Sequence, residues 1–190
     1  MLSCPRTPLM ALTSTVYTLA LVLSDSDRGV YENLDVRAAL HPSESGDFFA
    51  ARLLAYALEY TPELEFSKGG VSDSTAPALF VPKPGGGYKS WIEVGAPDAA
   101  RLHRAAKGAD RVAVYCHREP RVLLRQLAKE RIHRGEEIPV YSFAPGFLEA
   151  FASRLEKRTA LQLSVTGRHL YLEVAGASLE SPVDESRIGA

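Results

Sequence analysis

Glu93 stands inside an apolar run, Trp91-Ile92-Glu93-Val94, that reads as the interior of a β-strand. Burying a carboxylate without a partner costs several kcal/mol or raises its pKa by roughly three to five units, so a cation, a metal ion or a hydrogen-bond network is expected beside it. Metal-assisted phosphodiester hydrolysis uses such an arrangement. Carboxylates hold one or two divalent cations, and a positive group stabilises the charge that develops on the scissile phosphate. Glu93 fits a strand acid, and Glu44 a helix acid at the first turn of a long helix. Arg104 and Lys107 fall one to two turns into the helix that follows Pro97, where they could reach the same cleft. This chemistry requires Glu44 and Glu93 to converge in one solvent-reachable hollow lined by basic side chains.

Each of these residues also has a purely structural use. An acid in a helix's first turn is stabilised by the macrodipole by roughly 0.3–1 kcal/mol, which is enough to place Glu44 there. Glu93 can be the anion of an ion pair with Lys68, Arg52 or Arg104. Lys68-Gly-Gly70 lacks the full spacing of a nucleotide-binding loop and reads as a turn. Asp98, after Gly95-Ala-Pro97, is placed to cap a helix. Trp91 lies two positions from Glu93 and so shares its face of the strand, where it would pack in the core. The five histidines show no metal-ligand spacing, and neither Ser90 nor Ser142 has a nucleophile triad about it.

The elements that must position these residues follow from the pattern. Thr13 to Leu23 and Val30 to Leu40 predict an N-terminal hairpin around the turn residues Ser24 to Gly29. A helix is expected from His41-Pro-Ser-Glu-Ser45, capped by Ser43, to about Tyr60. Two short strands and flexible loops are expected from Glu65 to Gly87. Tyr88 to Val94, Asp98 to Ala106 and Arg111 to Cys116 predict a βαβ unit with parallel strands. Helices are expected over Glu119 to Arg134 and Pro145 to Glu156, on either side of a strand at Pro139 to Phe143. Thr159 to Thr166 and His169 to Val174 predict a closing strand pair, and residues 178–190, rich in charge, a loose tail.

At 190 residues, 46% apolar and 24% charged, the composition is that of one soluble globular domain. The apolar run Val16 to Leu23 falls far short of the roughly twenty residues of a membrane-spanning helix, and no signal peptide is expected. Cys4 and Cys116 form no disulfide framework, which fits a reducing, cytoplasmic setting. The net charge of −1 gives no global attraction to polyanions, but Arg101 to Arg134 holds ten Lys or Arg against three Asp or Glu. That local excess can steer an anionic ligand to one face, or simply coat two solvated helix faces.

Four segments taken in order, His41-Pro-Ser-Glu44, Arg52-Leu-Leu-Ala-Tyr-Ala-Leu58, Leu64-Glu-Phe-Ser-Lys-Gly69 and Trp91-Ile-Glu-Val-Gly-Ala-Pro-Asp98, resemble the YaeQ family from Met10 onward. The resemblance implies an α/β domain over residues 10–177, with 1–9 an extension. Its fold would be a mixed β-sheet flanked by helices, a variant of the PD-(D/E)xK nuclease-like fold. It further implies a site built from a helix Glu, an Asp after Pro, a strand Glu and a lysine, working with Mg²⁺ or Mn²⁺ and no organic cofactor. Carried over by position, these are Glu44, the residue after Pro77, Glu93 and a basic position on the helix after Pro97, so the catalytic candidates are Glu44, Glu93 and Arg104; Lys68, Arg101 and Lys107 are the candidates for binding phosphate. The metal-ligand candidates are Glu44, Glu93 and Asp73. Two positions depart from the family pattern. Pro77-Ala78 stands where Pro-Asp is implied, leaving one ligand missing unless Asp73 replaces it. Arg104 stands where a lysine is implied; arginine keeps the charge but cannot accept a proton. Three functions stay open at this point: a metal-dependent nuclease, a nuclease-like fold that binds nucleic acid without cutting it, and an interaction module with an unknown protein partner.

Overall fold

The computed structural model describes residues 14–67 and 76–189. β1 (Thr15–Asp25) and β2 (Val30–Leu40) form the expected antiparallel hairpin, in register from Thr15 opposite Leu40 to Asp25 opposite Val30. Then come α1 (Gly46–Leu58), β3 (Glu65–Phe66), β4 (Leu79–Pro82), β5 (Tyr88–Val94), α2 (Ala99–Gly108), β6 (Ala109–Tyr115) and α3 (Arg121–Leu127). A 3-10 turn at Gly135–Glu137 leads to β7 (Pro139–Phe143), α4 (Phe147–Ala152), β8 (Arg158–Thr166), β9 (His169–Val174) and β10 (Ala177–Arg187). The expected βαβ unit is present as β5-α2-β6, with β5 and β6 parallel. Among the described residues no helix is long and apolar enough to cross a membrane.

The described strands join in one mixed sheet in the order β2-β1-β8-β9-β10-β7-β6-β5-β4-β3. One face buries Leu19, Leu23, Leu163 and Leu172 from one half of that order and Ile92 and Ala113 from the other, all against Phe49 of α1 and Phe151 of α4. Strands so far apart in the order share one core only if the sheet curls around the two helices, and the result is a large, nearly closed barrel-like wall. A second, smaller core covers the outer face of β5, β6 and β7. There Trp91, Val112, Val114 and Val140 pack beneath Leu102 and Ala105 of α2 and Leu123 and Leu127 of α3.

Within the segment 178–190, expected to be a loose tail, residues 178–187 belong to β10, the strand that unites the two halves of the sheet. β10 pairs with β9 over Ala177 to Pro182 and with β7 over Val183 to Arg187. Outward-facing Glu180 and Asp184 make the segment look solvated, while buried Ser181 and Val183 face in, which is strand alternation. Pro182 sits at the last rung with β9, where the strand changes partner, so its missing N–H costs the ladder little. The Ser181 hydroxyl, wholly buried, accepts from the Ala144 N–H at 2.8 Å and donates to the Pro182 carbonyl at 2.7 Å.

Three helix boundaries also differ from expectation. Ser45, not Ser43, caps α1, accepting from the Phe48 N–H, and Glu44 therefore precedes the helix. The helix expected over 119–134 is confined to Arg121–Leu127. Beyond it Arg134, at φ 50°, turns its guanidinium onto the carbonyls of Ala106, Ala109 and Asp110, so this segment closes the end of α2 instead of extending a helix. The helix expected over 145–156 spans Phe147–Ala152.

A chain ending at Gly176 lacks the shared strand and should not fold. Its amide spectrum should collapse to the narrow dispersion of an unfolded chain, and a native-like spectrum would contradict the role given to β10.

Candidate functional site

Alternation along β5 sends Ile92 and Val94 to the core around α1 and Trp91 to the core beneath α2. Glu93 shares the side of Trp91, whose indole Nε1–H donates to Glu93 Oε1 at 2.6 Å. Gly95, at φ 101°, then turns the chain tightly under the Phe48 ring, where a Cβ would approach to 3.0 Å. Asp98 caps α2 as expected, accepting from the Arg101 N–H at 2.7 Å. The cap sets Arg101 opposite Glu93. Its Nε donates to Glu93 Oε1 at 2.7 Å and its Nη2 to the Ala76 carbonyl at 2.7 Å. The partner required by the buried acid is thus Arg101, in the first turn of the crossover helix; among the described candidates neither Arg52 nor Arg104 fills that place.

Glu44 folds back from the segment before α1. Its Oε2 accepts from the His41 N–H at 3.0 Å and from Arg52 Nη2 at 2.9 Å, and both side chains of the pair are almost wholly buried. Arg52 also donates to the Ala39 carbonyl of β2, and its guanidinium lies 5.3 Å from the centroid of Phe49 and 5.8 Å from that of Phe66 on β3. One side chain therefore touches both edge strands of the open wall. Burial pushes the Glu44 carboxyl above its ordinary range despite the guanidinium beside it, and pushes Arg52 down. Glu44 Oε1 and Arg52 Nε, both buried, have no hydrogen-bond partner, which accounts for the weight of desolvation here.

The two acids do not converge. Glu44 belongs to the α1 side of the sheet and Glu93 to the α2 side, each held by its own arginine. They do not fit a shared Mg²⁺ or Mn²⁺ site, and among the described residues no group of three or more His, Cys, Asp or Glu could hold a metal ion. Asp73 and Lys68 lie outside the described residues. Ala78, half-buried, enters β4. Arg104 and Lys107 are exposed on α2 beyond Arg101.

What lies outside these pairs is a basic surface. Leu102, Ala105 and Ala106 turn α2 to the core, and Leu123 and Leu127 do the same for α3. Arg104, Lys107, Arg121 and Arg125 are left exposed on the two helices, with exposed Arg118, Lys129 and Arg131 flanking α3. Few acids offset them: Asp110 is engaged by Lys83 at 2.8 Å, Glu119 stands 3.4 Å from Arg121, and Glu130 is exposed between Lys129 and Arg131. A second cluster had no signal in the spacing. Glu59, just past α1, accepts from both terminal nitrogens of Arg111, at 2.6 and 2.8 Å, and from the Tyr115 hydroxyl at 2.9 Å. Burial pushes that phenol well up. Arg111 and Tyr115 share β6, and Glu59, distant in the chain, meets them because α1 packs across that strand.

Because the Glu44 carboxyl is raised in the folded chain, its stabilising contribution is full below its ordinary value of 4.5 and lost as pH rises through the folded value. A Glu44→Gln variant mimics the protonated form. Its stability relative to the native chain should therefore improve as pH rises from about 4.5, measured by urea unfolding at a series of pH values. A difference that stays flat with pH would contradict the burial argument.

Comparison with known proteins agrees with this architecture. The family model described as YaeQ protein matches residues 10–183. The chain is 26% identical over 172 residues to the uncharacterized protein YaeQ of Salmonella typhi, covering 90% of this chain and 94% of that one. It is 34% identical over 109 residues to the protein of the same name in Escherichia coli K12, covering 57% and 59%. The crystal structure of YaeQ protein from Xanthomonas axonopodis pv. citri superposes with a TM-score of 0.84 at 25% identity, over 92% of this chain and 99% of that one. That from Pseudomonas syringae gives 0.83 at 28% identity, over 90% and 95%. With the family model spanning nearly its whole length and two solved relatives sharing its fold, the chain belongs to the YaeQ family.

Proposed function

We propose that this protein binds nucleic acid on the outward face of α2 and α3, holding backbone phosphates without cutting them. The observation that carries the reading is the set of exposed cations on one layer: Arg104 and Lys107 on α2, Arg121 and Arg125 on α3, and Lys129 and Arg131 beyond it. Long basic side chains anchored on a rigid two-helix layer form an electrostatic footprint for a polyanion, and the near-neutral net charge makes that footprint local. The finer fold assignment fits the same proposal. The chain would be a PD-(D/E)xK-type fold kept for strand binding, with Glu93 acting as the anchor of α2 instead of an ion ligand. Arg104 suits this role, because a guanidinium grips phosphate well and accepts no proton. A nucleic-acid partner also agrees with the cytoplasmic setting expected from the cysteines.

Each phosphate neutralised on a single strand contributes roughly −0.7 to the slope of log K against log salt. About five contacts would give a slope near −3.5 for a fluorescent single-stranded oligomer followed by anisotropy. The Arg104→Glu/Lys107→Glu variant should bind at least tenfold more weakly at low salt, with a shallower slope. Incubation of the native chain with Mg²⁺ should leave the oligomer intact. Salt-independent binding, or binding unchanged in the variant, would defeat the proposal; cleavage abolished by Glu93→Gln would restore a hydrolytic site.

A further inference from the structure

Between β6 and β7 the sheet changes the side on which its connections cross. The chain leaves β6 for α3, which packs on the smaller core, and leaves β7 for α4, whose Phe147, Leu148 and Phe151 join the larger one. β6 and β7 are adjacent and parallel, so two connections that part from their carboxyl ends in opposite directions open a crevice between them. Open α/β sheets bind ligands at such a point. A cleft of about 550 Å³ occupies it, a volume that suits a small organic ligand.

One wall comes from the segment after β6, with His117, Arg118 and Arg121, and the other from the end of β7, with the nearly buried Ser142. Asp184 of β10 and Asp47 of α1 complete it. His117 Nδ1 is buried without a partner and faces Gly95, where a Cβ would lie 3.6 Å away. The half-buried ring itself lines the cleft. Burial and the neighbouring Arg118 push the imidazole below its ordinary pKa, against the carboxylate of Asp47, which raises it.

The cleft presents donors, Arg118, Arg121 and His117, among four acids, Asp47, Glu119, Glu149 and Asp184, with Glu119 lying 3.4 Å from Arg121. A ligand complementary to both needs an anionic group and a separate edge rich in N–H. We propose that the crevice between β6 and β7 binds one nucleotide unit, its phosphate on Arg118, Arg121 and His117 and its base N–H groups on Asp184 and Asp47. The inference goes beyond strand binding by the α2 and α3 layer and stands on the cleft's own geometry. The unit is either a free nucleoside 5′-monophosphate or the 5′-phosphorylated end of a strand.

The test is an amide NMR titration of the full chain with AMP, CMP, GMP, UMP and inorganic phosphate. The nucleotides should shift His117 and Ser142, with UMP weakest because its base edge offers a single N–H. Asp184→Ala should weaken GMP at least fivefold and leave inorganic phosphate unchanged, whereas Arg118→Ala should weaken both. Arg104→Glu/Lys107→Glu, away from the cleft, should leave GMP binding intact. Displacement of GMP by a 5′-phosphorylated trinucleotide but not by its 5′-hydroxyl counterpart identifies a strand end; displacement by neither identifies the free nucleotide. No shift at millimolar nucleotide, or GMP binding indifferent to both cleft variants, overturns the inference. If oligomers still bind in that case, the strand-binding proposal survives alone. Nucleotide binding without oligomer binding would do the reverse.

Discussion

A carboxylate taken out of water has to be neutralised where it is buried. Besides Asp25, which Arg28 meets at the β1–β2 turn, this happens at two places that involve the helices flanking the sheet. Arg101 meets Glu93 and fastens the first turn of α2 to β5. Arg52 meets Glu44 and fastens α1 to the end of β2, beside β3, where the curled wall fails to close. Removing one member of such a pair costs about 3–5 kcal/mol, since the other is left charged in a medium that cannot solvate it. The pairs thus tie α2 to β5 and α1 to the end of β2, and those helices pack on the two cores.

The same constraint decides where chemistry can occur. Two acids on opposite sides of the sheet, each paired with its own arginine, do not form a common ion site, however well their types and order suit one. With these acids turned inward, the α2 and α3 layer is left with a surplus of exposed cations. The crevice at the ends of β6 and β7 combines donors with acids that no buried arginine engages. In this chain the polar residues that touch solvent are therefore better placed to bind a ligand than those the family pattern singles out.

Much of this architecture was legible in the residue order. The hairpin of β1 and β2, the β5-α2-β6 unit and the capping role of Asp98 all follow from local periodicity and turn chemistry, which act within a few residues. The need of Glu93 for a partner was legible too, but the identity of that partner was not. Arg101 is selected over Arg104 by the angle at which a capped helix leaves Gly95, and residue spacing does not encode that angle. β10 escaped because a strand with charged outward positions and a proline resembles a solvated tail until the partners on both sides are known. Glu44 was misplaced by a single turn: Ser45 caps α1, so the acid falls in the preceding loop and reaches Arg52 instead of the helix dipole. The crevice carried no local signal, because it depends on which side of the sheet two separate connections take.

The most direct test of the account is a Mn²⁺ titration followed through paramagnetic broadening of the amide resonances near residues 44 and 93. Two acids held by separate arginines on opposite faces predict that these regions do not broaden together at substoichiometric Mn²⁺. Simultaneous loss of both sets of signals, complete by one equivalent of Mn²⁺, would contradict the account and return Glu44 and Glu93 to a single metal centre.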